Sequence, residues 1–216
     1  MSSDTLRQAV QLHQAGRAVD ALPLYAQVLA GEPDNPAALY YGGVAAWTVG
    51  QHVLALERLE RVIAIAPQPV ADAHYHRALV LAALDRGGEA MTDYQTALRL
   101  KPGFAAAHNN LGVLQRRAGE LAAADMSFAA ALQIDPGHVD ARYNRALTAF
   151  QRGDLALAQT LLRECIKRAP EHDGARATLV DVLTDLGEQA EALALARASV
   201  KRIPRSSRLC NALGQA

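Results

Sequence analysis

The chain has 216 residues, half of them hydrophobic and 5% aromatic, with 22 basic and 22 acidic side chains and no net charge. Charge by segment is −2 over 1–70, −1 over 71–138 and +3 over 139–216, which argues against the basic face of a nucleic-acid binder. No apolar run reaches a membrane span, and the start MSSDTLRQAV lacks the basic and apolar regions of a secretory signal. With only Cys165 and Cys210, a reducing cytoplasm is the expected location.

The sequence is rich in alanine, the best helix former, and shows no period-two alternation, so an all-α chain with about three-quarters helix is expected. Four markers recur along it. A small residue sits at Ala9, Gly43, Ala78, Gly112, Ala146, Val180 and Gly214. A turn residue follows at Gly16, Gly50, Asp85, Gly119, Gly153 and Gly187. A second alanine stands at Ala21, Ala55, Ala90, Ala124, Ala158 and Ala192, and a proline closes the unit at Pro33, Pro67, Pro102, Pro136, Pro170 and Pro204. The last two series step by 34, 35, 34, 34 and 34. They delimit six helix-turn-helix repeats, 2–35, 36–70, 71–104, 105–138, 139–172 and 173–206, in one domain spanning 2–216. The extra residue falls near Gln68-Pro69-Val70, where an irregular junction is expected. Residues 207–216 read as the first helix of an incomplete seventh repeat, or a cap.

Within 105–138, Ala107, Leu111, Leu114 and Ala118 share one helical face, and Ala124, Phe128, Ala131 and Leu132 share the next. Gly112 and Ala124 are small enough for the two backbones to meet there, and Pro136 stops the second helix. Repeat six departs from this plan, with Val180 at the small position and Ala196 where Tyr25, Leu59, Tyr94, Phe128 and Leu162 stand. The pair is expected to exchange volume across one contact. Arg77 and Arg145 replace Leu111 and Leu179, so their heads must reach solvent or a carboxylate.

No catalytic constellation emerges. No phosphate loop, nucleophile elbow or paired-carboxylate arrangement stands out, and no histidine pair has the i, i+4 spacing of a helical zinc site. His74 and His76 point to different sides of one helix, while His138 and His172 are equivalent loop positions one repeat apart. No enzyme, metal or cofactor is expected. Cys165 occupies a packing position and reads as a small core residue.

The pattern L-G…A-x3-F…P over 34 residues resembles the tetratricopeptide repeat. The resemblance covers residues 2–216 and implies a right-handed α-solenoid of stacked hairpins, with the first helix of each repeat lining a concave groove. Such a chain is expected to be a protein-protein interaction module that binds an extended peptide or a partner helix. Family contacts fall on several first-helix positions. Carried over, these give Tyr41, His76, Asn110 and Asn144 at the sixth, Asn109 at the fifth and Trp47, Arg116 and Phe150 at the twelfth, with Arg117 beside them. Tyr40, Tyr75 and Tyr143, at the fifth position, read equally as packing residues. Asn110 and Asn144, one repeat apart, resemble the asparagine ladder of O-GlcNAc-transferase-like arrays, in which each amide offers a donor and an acceptor to a peptide unit. These side chains are expected to face water in the free protein. The second position, Ser3, Ala37, Asp72, Ala106, Asp140 and Gly174, offers no lysine for a carboxylate clamp. The style of the sequence is bacterial, and its abrupt end suggests the recognition region that precedes a modifying domain in a longer protein. The alternative is a stand-alone scaffold for a multiprotein complex. A monomer or weak homodimer is expected, with no nucleic-acid or membrane partner.

Overall fold

Alanine-rich, amphipathic segments of about four turns each, separated by turn residues, can only form short helices that bury one stripe against a neighbour. The structure, a computed structural model, describes residues 2–203 and 214, and among these twelve helices and no strand are present. They are α1 (Ser2–Gln14), α2 (Ala18–Gly31), α3 (Pro36–Thr48), α4 (His52–Ile65), α5 (Ala71–Ala83), α6 (Gly87–Leu100), α7 (Ala105–Arg117), α8 (Leu121–Ile134), α9 (Val139–Gln151), α10 (Leu155–Arg168), α11 (Asp173–Asp185) and α12 (Gln189–Arg202). The expected helix over 207–216 and the closing Pro204 lie outside the described residues, apart from Gly214, which is helical and exposed.

The chain divides into two compact units, 1–107 and 108–216. In the first, α1 packs on α2, α3 on α4 and α5 on α6, while α1, α3 and α5 adjoin as neighbouring first helices. In the second, α9 packs on α8 and α10, α11 packs on α10 and α12, and α9 adjoins α11.

Each hairpin turns through a residue in the left-handed region. Gly16, Gly50, Gly119, Gly153 and Gly187 take φ of 76° to 81°, and Asp85 takes φ 60° in the same place. Glycine has no Cβ to clash there, and aspartate is among the few other residues that tolerate the region. The junction between α4 and α5 spans 66–70, one residue longer than the 32–35 junction between α2 and α3.

The seam of each hairpin is buried. Ala21, Ala55, Ala90, Ala124, Ala158 and Ala192 are fully buried, as are Tyr25, Leu59, Phe128, Leu162 and Ala196. One contact differs from the expected one. The space above Gly112 is filled by the ring of Phe128, not by Ala124: a Cβ built at Gly112 would come within 2.8 Å of Phe128 Cε1. Gly43 meets Leu59 in the same way, at 2.9 Å. The residue sixteen places on, not twelve, is therefore the partner of the small position. By that register Val180 faces Ala196, and both are buried in one apolar cluster of the second unit.

Both out-of-pattern arginines find carboxylates. Arg77 grips Asp93 with two bonds of 2.6 and 2.7 Å, and Arg145 Nε donates to Asp125 at 2.8 Å. Asp93, 3% exposed, also lies 2.9 Å from His74 Nδ1, so this buried charge is held from two sides. Cys165 is a free, buried thiol whose pKa burial pushes up to about 11, consistent with inert packing.

Candidate functional site

The expected site residues lie on first helices in both units. Tyr41 and Trp47 are on α3 and His76 on α5, all within 1–107, while Asn109, Asn110, Arg116 and Arg117 on α7 and Asn144 and Phe150 on α9 belong to 108–216. The two sets have different chemistry.

In the first unit, Val10, His13, Gln14, Tyr40, Tyr41, Val44 and His76 line a cleft of about 310 Å³ across α1, α3 and α5. Tyr41 is 40% exposed and stands edge-on to Tyr40, ring centroids 5.1 Å apart. His76 meets Tyr40 edge-on at 5.6 Å, and the Tyr40 hydroxyl lies 3.2 Å from His76 Nδ1. That nitrogen also sits 2.7 Å from the Asp72 carbonyl, which can only accept. Nδ1 therefore carries the proton, and in the neutral ring Nε2 is the acceptor. Burial lowers the pKa of both His13 and His76, so both rings are neutral at pH 7. Burial raises Tyr40 and Tyr25 to about 12. The cleft is thus uncharged, aromatic and half-apolar. Its His13, Val10, Gln14 and Val44 were absent from the sequence-derived set, because α1 carries little of the aromatic signal. Trp47 is half-buried against His52, with ring centroids 5.0 Å apart.

In the second unit the three asparagines form one chain of amides. Asn144 Nδ2 donates to Asn109 Oδ1 at 3.1 Å, and Asn109 Nδ2 donates to Asn110 Oδ1 at 3.1 Å. Asn110 and Asn144, expected to face water, are half-buried, with Asn144 tied across from α9 to α7, and Asn109 between them is 8% exposed. Neighbouring first helices lie close enough for two short side chains to span the gap. Asn144 still has an amide oxygen with acceptor capacity. Phe150 is half-buried against the apolar cluster, Arg117 is exposed, and Arg116 has a buried Nε with no hydrogen-bond partner.

Of the fifth-position tyrosines, Tyr40 lines the cleft, while Tyr75 and Tyr143 pack against neighbouring rings. Tyr75 stacks on Phe104 at 4.4 Å, and Tyr143 lies 4.5 Å from the His172 ring. His138 and His172 are helix caps: their Nδ1 atoms accept from the backbone N–H of Ala141 and Ala175, at 3.3 and 2.9 Å. Asn35 does the same for α3, accepting from Ala38 at 3.0 Å. The shared position 35, 138 and 172 was the available signal, but histidine is an uncommon cap. Among the described residues no three metal-ligating side chains cluster, and no helix is long and apolar enough to cross a membrane.

Comparison with known proteins accounts for this architecture. No curated protein matches the chain. Among solved structures, YrrB, a TPR protein with an unusual peptide-binding site, is 26% identical, covering 79% of this chain and 88% of its own, with a TM-score of 0.68. PilW, a widely conserved type IV pilus biogenesis factor, superposes over 98% of both chains at TM-score 0.84 and 19% identity. PilF of Pseudomonas aeruginosa covers all of this chain and 97% of its own at TM-score 0.83 and 15% identity. The last two likenesses show the fold. One tetratricopeptide-repeat profile matches residues 12–84 and 149–215, and a second matches 77–139 and 125–164. The chain belongs to the tetratricopeptide repeat family.

Proposed function

We propose that this chain is a protein-interaction module whose first helices bind an extended peptide. The observation that carries the reading is the amide chain Asn144–Asn109–Asn110. Its internal bonds fix each amide, so little side-chain entropy is lost when a peptide docks. An extended peptide repeats its N–H and C=O groups at short intervals, and pre-oriented amides hold such a backbone without reading its side chains. Arg116, Arg117 and Phe150 contribute beside the amides in the second unit. In the first unit, the neutral cleft around Tyr41 and His76, with Trp47 on the same helix as Tyr41, is a candidate contact of its own for an uncharged side chain, with His76 Nε2 as an acceptor. YrrB, with its peptide-binding site, supports the same reading by likeness.

In this reading the chain is a cytoplasmic, bacterial recognition array, monomeric or weakly dimeric, resembling the arrays of O-GlcNAc-transferase-like proteins. A stand-alone scaffold for a multiprotein complex is the second reading, to which the likeness to PilW, a pilus biogenesis factor, lends support.

The test uses peptides selected from a random dodecapeptide library against the whole chain. Asn110→Ala/Asn144→Ala should weaken the selected peptides about two- to ten-fold per lost contact, or roughly 0.5–1.5 kcal/mol each. Because Asn144 also bonds Asn109, the melting temperature should fall slightly. A fall in melting temperature with affinity intact makes the asparagines structural and ends the peptide reading.

A further inference from the structure

One buried charge in the first unit has an orphaned nitrogen and no ion pair. Arg58 on α4 is 8% exposed, and its Nη1 makes no hydrogen bond. Among the described residues it forms no ion pair, unlike Arg77 with Asp93 or Arg145 with Asp125. The guanidinium reaches into the space that Gly42 leaves on α3: a Cβ at Gly42 would lie 2.6 Å from Nη1. Arginine does not shed its proton in a protein, so the charge persists. Burial lowers the pKa of Arg58 from its ordinary value, the mark of an unfavourable environment for the charge. A buried cation without a counter-charge destabilises the free chain.

Arg58 is common to two clefts between α2 and α4. One, of about 740 Å³, has apolar walls including Leu29, Leu39 and Leu54; the other, of about 510 Å³, includes Val19 and Leu22. These are second helices, so the clefts are separate from the first-helix groove. The remaining charges are accounted for. Arg61 is spent on Asp34 at 2.7 Å, and Glu57 and Glu60 are exposed at the rim, Glu57 acting on Arg58 without pairing with it and Glu60 acting on Arg77 and Arg86. Val19, 70% exposed, extends the apolar wall to the surface.

We propose that the α2–α4 cleft is a second binding site, which receives a single Asp or Glu side chain presented among apolar residues by a partner protein. The carboxylate supplies the counter-charge that Arg58 lacks, through charge-assisted hydrogen bonds. The apolar walls take the flanking residues. The rim carboxylates disfavour a polyacidic run, so specificity is for one acid in an apolar setting.

The test titrates the full chain with the peptides acetyl-Ala-Leu-Glu-Leu-Ala-amide and its Gln counterpart, following the Arg58 Nε–H signal by NMR. The Glu peptide should bind at least ten-fold more tightly than the Gln peptide and shift that signal. Arg58→Met keeps the stem in the Gly42 space but removes the charge. It should abolish the Glu preference and raise the melting temperature of the free chain. Arg58→Lys should retain a reduced preference, and Asn110→Ala/Asn144→Ala should leave it unchanged. Equal binding of the two peptides, a preference that survives Arg58→Met, or a lower melting temperature in that variant overturns the proposal. So does displacement of the Glu peptide by millimolar inorganic phosphate, which would make the cleft a site for any small anion.

Discussion

The 1–107 and 108–216 units share one seam and differ in what they present beside it. In the first, Ala55 and Leu59 close a hairpin; in the second, Ala124 and Phe128 do so, all fully buried. Across its first helices the earlier unit has a cleft lined by imidazoles and phenols, and the later one has a chain of amides. The difference teaches that the repeat constrains volume at the seam and leaves first-helix chemistry open. The His13 and His76 rings of the first unit's cleft titrate and the amides of the second do not, so the cleft and the amide chain should respond differently to pH.

The shared seam can be broken most severely at its tightest contact. Phe128→Ala should cost about 3–5 kcal/mol, and Gly112→Val about 1–3 kcal/mol through collision with the ring. Together they recreate the Val180–Ala196 pairing, so the double variant should cost clearly less than the sum in urea melts. Gly43→Val/Leu59→Ala should behave alike in the first unit; additivity in either would show that the register differs there. Next come Ala55→Leu and Ala124→Leu, each about 1–3 kcal/mol or more from overpacking. Ala122→Leu, on the exposed face of α8, should be close to neutral. Equal losses for Ala122→Leu and Ala124→Leu would refute the assigned faces.

A smaller effect sharpens the contrast. Burial holds His13 and His76 below the ordinary 6.5, so the unfolded chain takes up their protons first. The stability they carry is full above about pH 6.5 and is lost as pH falls below it. His13→Gln/His76→Gln should flatten this acid loss, read by hydrogen exchange in residues 1–107. At the other extreme, the raised Tyr25 and Tyr40 make stability fall as pH climbs from 10 towards about 12. An acid response unchanged in the double variant would place its origin outside this cleft.

The seam was legible in the sequence because it is a constraint on size repeated at a fixed period. Small and large residues alternate between Gly112 and Phe128 or Gly43 and Leu59, and the left-handed turns announce themselves as glycine, with Asp85 in register. The exchange at Val180 and Ala196 was legible for the same reason. The identity of the contacting pair was not: Ala124 and Phe128 lie one turn apart on the same face, and only the relative slide of the two helices chooses between them. Cross-helix polar contacts were hidden likewise. Nothing local to Asp93 says that it collects both His74 and Arg77, and nothing in Asn144 names Asn109 as its acceptor. These depend on how far one repeat is displaced on the next, a quantity no single repeat encodes. Arg58 was passed over because its opposite number, Gly42, has no side chain to betray the pairing.

The Val180–Ala196 pairing limits how freely this array can be cut and rejoined. Repeat proteins invite shuffling, because each hairpin looks like an interchangeable part. Here α11 carries its bulk on the first helix and α12 its gap on the second, the reverse of the hairpins built on Gly43 and Gly112. A chimera that joins α11 to α8 would drive Val180 into the Phe128 ring, and one that joins α7 to α12 would leave a void beside Gly112. Fusion points that keep each hairpin whole preserve both solutions, so the two-helix hairpin, not the single helix, is the smallest exchangeable part of this chain.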